Sequence, residues 1–138
     1  MSKNVPATFL NSDLPKFEKD DRINGIREGS FKLIYLAPER FEVSYSRKAE
    51  HEAILNTKTD FLIVDEVHVV DTWGDLFRLH YSNIRAFIKP LGTPPVLAFT
   101  ATAGQATRRQ IIENLGINDA EIFIEGADRT NIGSTREK

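Results

Sequence analysis

Residues 61–68 read Phe-Leu-Ile-Val-Asp-Glu-Val-His, an uninterrupted apolar run that leads straight into two adjacent carboxylates. The run is strand-sized. Apolar residues at every position, rather than at every second one, are expected of a central parallel strand covered by helices on both faces. A second run of the same kind, Val96 to Phe99, leads into Thr100 and Thr102. Parallel strands would deliver the carboxylates and the hydroxyls to one edge of the sheet, and open α/β sheets bind ligands in the crevice beyond that edge.

Outward from these two runs, short β-rich segments alternate with longer helical patterns. Strands are expected at about Ala7 to Leu10, Phe31 to Leu36, Phe61 to Asp65, Val96 to Thr100 and Glu121 to Ile124. Helices are expected at about Leu14 to Glu28, Arg47 to Leu55, Tyr81 to Ile88 and Gln105 to Leu115. The last sets Ile111, Ile112 and Leu115 on one face and ends at Gly116, where a left-handed cap costs least. Strands joined through helices imply an α/β fold with a mainly parallel sheet.

The chain has 138 residues, 41% of them hydrophobic, enough for a buried core in one domain or part of one. Its 18 Lys and Arg against 20 Asp and Glu leave a net charge of -2, so any contact with nucleic acid must be local. The absence of cysteine excludes disulfides and thiolate zinc sites. No apolar run approaches the roughly 20 residues of a membrane-spanning helix, and the expectation is a soluble intracellular protein without a membrane partner.

The pair after the first run has the chemistry of a nucleotide-hydrolysing site. Asp65, at the strand end, can hold Mg²⁺ and so offset charge on the β- and γ-phosphates of ATP. Glu66, one residue on, can orient or deprotonate the attacking water, a role worth about 10²- to 10⁴-fold in rate. The plain alternative is that both acids cap a following turn. The sequence D-E-x-H arises by chance in roughly one chain of this length in a hundred, which favours the catalytic reading here. His68 is either a locally bonded surface histidine or a relay between the phosphate site and the hydroxyls of Thr100 and Thr102. Thr102 also suits the start of the last helix.

The segments KLIYLAPERF (32–41), IVDEVHVVDTWGDLFRLHY (63–81), LAFTATAGQATRRQIIENLGI (97–117) and ADRTNI (127–132) resemble, in order and spacing, successive segments of the RecQ helicase family. The resemblance covers nearly the whole chain. It implies the later portion of a RecA-like, P-loop NTPase motor domain in an ATP-dependent 3′–5′ DNA helicase, with ATP and Mg²⁺ as cofactors. Its partners would be single-stranded DNA and duplex junctions, and its location the bacterial nucleoid and cytoplasm or a eukaryotic nucleus. Asp65 and Glu66 would be the magnesium and water-activating pair, His68 would couple to other motor motifs, and Thr100 and Thr102 would link hydrolysis to movement on DNA. Arg40 would lie near the DNA backbone; otherwise it is a solvated arginine.

By the same resemblance, residues 71–78 correspond to an aromatic loop that senses single-stranded DNA. Trp73 and Phe77 would stack bases, at about 1–3 kcal/mol each, with Arg78 supplying a cation; otherwise the two rings anchor the loop to the core. Thr72, Asp75, Leu76 and Leu79 depart from the family pattern there.

Two other motifs fail. Ala37-Pro38-Glu39 also occurs in protein kinases, but no glycine-rich loop, H-R-D or D-F-G accompanies it. His51-Glu52 begins like a zinc-protease motif, yet Leu55 stands where the second histidine belongs. The sequence contains no Gly-Lys pair and hence no G-x-x-x-x-G-K-[ST] phosphate loop. The resemblance puts that loop before residue 1 and a second motor domain after residue 138, so the chain alone is expected to be nearly inert. The competing reading is a non-catalytic nucleic-acid or protein-binding module derived from a truncated helicase. An RNA helicase of the same superfamily is a third, against which the W-G-x-x-F-R loop weighs.

Overall fold

A computed structural model of the chain describes residues 4–67, 75–101 and 103–124, with the backbone alone at 75–78. The elements follow as β1 (Ala7–Leu10), α1 (Lys16–Arg27), β2 (Leu33–Leu36), 3₁₀ turns at Pro38–Phe41 and Tyr45–Arg47, α2 (Lys48–Leu55), β3 (Leu62–Val64), α3 (Asp75–Ile88), β4 (Val96–Ala98) and α4 (Gln105–Leu115). The fold is α/β, as the alternating pattern requires. Two expected boundaries differ.

Helix α3 begins at Asp75 rather than Tyr81, so half of the segment expected to be a loop is helical. Residues 121–124 form no strand, although Ile122, Phe123 and Ile124 all favour extended structure. Their side chains are exposed, and β-propensity needs a neighbouring strand and a surface to pack on before it takes effect.

The strands pair as two parallel ladders. β1 lies beside β2 with Ala7 opposite Leu33 and Leu10 opposite Leu36; β3 lies beside β4 with Leu62 opposite Val96 and Val64 opposite Ala98. Among the described residues these are two separate two-stranded sheets. The outer rim of β1 is closed by Arg22 of α1. Its guanidinium donates to the Phe9 carbonyl (3.0 Å), lies 3.9 Å from the centre of the Phe9 ring and pairs with Glu18. A charge held at an edge strand's carbonyl row blocks further pairing there.

Each sheet carries its helices on one face. Ile23 and Ile26 of α1 and Ala53 and Ile54 of α2 close on Leu10, with Ile34 and Leu36 packed against them. Tyr81, Ile84 and Phe87 of α3 and Ile111 and Leu115 of α4 close on Leu62, Val64 and Ala98, together with Phe41 and Val67. Burial pushes the Tyr81 phenol up to about 12, so it sits in this core as a neutral group. Leu36 and Leu91 touch both clusters and join them.

Among the described residues the helices lie on one face of each ladder. Burial alternates along β3 and β4, and the side chains pointing away from the helices are open: Phe61 is 60% exposed, Ile63 55%, Phe99 52% and, on the other sheet, Tyr35 63%. The strands have the composition of doubly covered strands, while the helices described cover one side.

Helix α4 ends in a Schellman motif. The Gly116 and Ile117 amides bond the carbonyls of Glu113 (3.1 Å) and Ile112 (3.1 Å), with Gly116 at φ 68°. A Cβ on Gly116 would fall 2.6 Å from Arg85 Nε, whose side chain also reaches the Glu113 carbonyl. Gly29, at φ 70°, has nothing within 4 Å of such a Cβ. Gly116→Ala is therefore expected to cost about 1–2 kcal/mol for the left-handed backbone plus the displacement of Arg85, whereas Gly29→Ala incurs the first cost alone. Urea unfolding of both variants checks the difference.

Candidate active site

Val64 and Ala98 are the last paired residues of β3 and β4, so Asp65-Glu66 and Phe99-Thr100 leave the same end of one parallel ladder. The shared edge expected from the sequence is present. The ladder does not simply stop there. Phe99 donates to the Val64 carbonyl (2.8 Å), and regular parallel pairing would next bring the Glu66 amide to the Phe99 carbonyl. Instead the Val67 amide makes that bond (3.1 Å), one residue late. One residue of β3 is thus bulged out of register.

Glu66 is the bulged residue and has φ 54°, a left-handed conformation that side chains other than glycine adopt at a cost. Its displaced amide donates to Asp65 Oδ1 (2.9 Å), so the two acids hold each other's geometry: the Asp65 carboxylate satisfies the backbone that the bulge frees. Both acids are exposed, while Val67, immediately after, is fully buried and anchors the turn in the α3–α4 core. Strain at a position held by ladder bonds before and after it is a recurrent property of functional turns. Thr100 is half-buried at the same edge.

The other candidates divide. His68, Trp73 and Thr102 lie outside the described residues. Phe77 and Arg78 fall in the first turn of α3, where only the backbone is described, so the aromatic segment includes a helix start. Among the described residues no group of three or more His, Cys, Asp or Glu side chains could hold a metal. Mg²⁺ is commonly bound through one or two carboxylates with phosphates and water completing its shell, a chemistry that an exposed strand-end carboxylate such as Asp65 fits.

Arg40 requires correction on both of its readings. It is neither solvated nor presented at the surface: it is 4% exposed, and Glu50, its partner, 1%. Nε and Nη2 donate to the two Glu50 carboxylate oxygens at 2.9 and 2.8 Å, a forked geometry that arginine and carboxylate match uniquely well. The next residue of α2, His51, donates from Nε2 to the Arg40 backbone carbonyl (2.7 Å). Its ring meets Phe87 edge-on at 4.7 Å, and Phe87 meets Phe41 edge-on at 5.3 Å. A guanidinium engaged this way has no surface from which to meet a phosphate.

No local pattern in the sequence marks this clamp, because Arg40 stands in the first 3₁₀ turn and Glu50 in α2, with the second 3₁₀ turn between them, and they meet only in three dimensions. By contrast, the Arg47–Glu42 pair (2.8 Å) sits at the surface, where its hydrogen bond to Arg47 holds the Glu42 carboxyl below the usual range.

Comparison with known proteins follows the same lines. The chain is 30% identical over 135 residues to the ATP-dependent DNA helicase RecQ of Pasteurella multocida, covering 98% of the chain and 21% of that protein. It is 32% identical over 126 residues to the probable ATP-dependent DNA helicase RecS of Bacillus subtilis, covering 91% of the chain and 24% of the relative. The sequence is RecQ-like. The likeness extends to yeast, where the ATP-dependent helicase SGS1 is 29% identical over 133 residues. No family model matches. The chain spans about a fifth of the length of the RecQ relatives it matches, and no described helix of this RecQ-like segment is long and apolar enough to cross a membrane.

Two stability measurements probe this geometry. Removing one member of a buried ion pair strands the other charge, so Glu50→Ala is expected to lower the unfolding free energy by about 3–5 kcal/mol, whereas Glu42→Ala should leave it nearly unchanged. Glu66→Gly should raise it by roughly 0.5–1 kcal/mol, the left-handed penalty less the entropy glycine loses on folding. Denaturant titrations of the three variants read both effects.

Proposed function

We propose that the chain is the later portion of the first RecA-like motor domain of an ATP-dependent 3′–5′ DNA helicase. The observation that carries this reading is the β3–β4 edge, where an exposed Asp-Glu pair, bulged out of the ladder with Glu66 in a left-handed turn, shares one end with Thr100. The likeness to RecQ helicases over 98% of the chain supports the same reading.

In this mechanism Asp65 is the carboxylate toward Mg²⁺, which when bound offsets the charge of the ATP phosphates. Glu66 accepts a proton from, or orients, the water that attacks the terminal phosphate. The left-handed turn takes Glu66 off the regular pleat of β3 while its amide is held by Asp65, which leaves the two exposed acids next to each other at the strand end for separate functions. Thr100 and Thr102 report the state of the phosphate site to the segments that move on DNA, and His68 relays between them. Trp73, Phe77 and Arg78 contact single-stranded DNA near a duplex junction. Arg40, held by Glu50, has no place among the DNA contacts.

Residues 1–138 contain no Gly-Lys pair and so supply no phosphate loop; triphosphate affinity and turnover both need groups from elsewhere in the protein. On its own the chain is expected to hydrolyse ATP at or near background with or without DNA. In the natural gene product that encompasses it, Glu66→Gln is expected to lower DNA-stimulated ATP turnover by about 10²- to 10⁴-fold with DNA binding kept. A steady-state phosphate-release assay beside a DNA-binding titration separates the outcomes. Undiminished turnover in Glu66→Gln removes Glu66 from the mechanism, and a gene product that binds DNA without hydrolysing ATP supports a binding module instead.

A further inference from the structure

The two parallel sheets share no strand hydrogen bond among the described residues, yet the segment after β2 and the segment after β3 meet in one core. Phe41, at the end of the first 3₁₀ turn, is buried in the same cluster as Val67, the residue that follows Glu66. What fixes Phe41 is its neighbour. Helix α2 grips Arg40 at two points, through Glu50 on the guanidinium and His51 on the backbone carbonyl. The His51 ring then continues through Phe87 to Phe41 itself, edge against face at each step. The lower part of the same helix, Ala53 and Ile54, is anchored in the other core.

We propose that Glu50 and His51 are positioning residues for the acidic motif: by clamping Arg40 they hold Phe41 in the cluster that seats Val67, and so keep Glu66 in its bulged, left-handed turn. The path is short and contiguous, and every link in it is buried. Val67 is the anchor through which it acts, because the Val67 amide closes the bulge on the Phe99 carbonyl. A change at the clamp therefore reaches Glu66 through Val67. The catalytic consequence rests on the reading of Glu66 given above; the mechanical coupling does not.

The test compares two amides on either side of the bulge by hydrogen exchange in the 138-residue chain. Phe99 N–H, bonded to the Val64 carbonyl, lies before it, and Val67 N–H, bonded to the Phe99 carbonyl, closes it. His51→Phe keeps an aromatic ring against Phe87 and removes the donor; Glu50→Gln keeps the shape and removes the charge. Each is expected to speed Val67 exchange at least tenfold relative to Phe99, and His51→Gln, which retains a donor near the Nε2 position, should restore most of the protection.

Equal acceleration of both amides, or none at Val67, would overturn the clamp, since a merely structural role moves the two together. His51→Phe alone suffices for this decision where Glu50→Gln does not fold. In the encompassing gene product the same variants should lower kcat for ATP hydrolysis about tenfold at unchanged KM for ATP. Selective Val67 exposure with no ATP turnover in the unsubstituted protein sinks the functional reading and leaves the clamp standing. Normal turnover in the unsubstituted protein together with unselective exchange does the reverse.

Discussion

The parallel ladder between β3 and β4 is the constraint on which the rest of this molecule depends. Three paired residues on each strand are few, but they fix direction and register, and those two properties decide where every polar group beyond them emerges. The slip at Glu66 acts on the same ladder. Because the bonds from Phe99 to Val64 and from Val67 to Phe99 are both made, the extra residue has no way to relax along the strand and is expelled sideways. Two exposed carboxylates thereby leave the strand on a turn rather than on a regular pleat.

Such a turn has to be supported from below. A left-handed glutamate at an exposed strand end persists only if the residues around it are held more tightly than it is. Val67 supplies that hold from one side and the Asp65 carboxylate from the other. Beneath Val67 the aromatic contacts of Phe41, Phe87 and His51 run back to a buried ion pair. Buried ion pairs contribute little net stability against an apolar replacement of the same shape, and their value is commonly in selecting one arrangement over others. Here the arrangement selected is the seating of one 3₁₀ turn between two sheets that share no strand hydrogen bond among the described residues.

Much of this was legible in the sequence. Uninterrupted apolar runs at Phe61 to Val64 and Val96 to Phe99 marked parallel strands, and Gly116 marked the end of α4, because strand burial and helix capping are encoded by neighbouring residues. The acidic and hydroxyl motifs, each at the end of an apolar run, told that Asp65 and Thr100 would leave one end of a parallel ladder, as they do. What escaped was of two kinds. The Arg40–Glu50–His51 clamp depends on irregular turns whose path no periodicity records, so Arg40 read as a surface cation when it is a buried one. The bulge at Glu66 is a mismatch between two strands, visible only when their bonds are traced together. The same apolar runs also led to an expectation of helices on both faces. Composition reports the burial a strand is suited to, and the helices of the described residues cover one side of it.

Arg22 gives the assembly of strands a polarity. With its guanidinium tied to the Phe9 carbonyl, the Phe9 ring and Glu18, the far flank of β1 behaves as a finished border: a strand arriving from a neighbouring molecule would have to evict a cation from three partners before making its first bond. Lateral growth is therefore directional. Among the described residues this leaves the flanks of β2, β3 and β4 open to a further strand, with β1 the closed border of its two-stranded sheet.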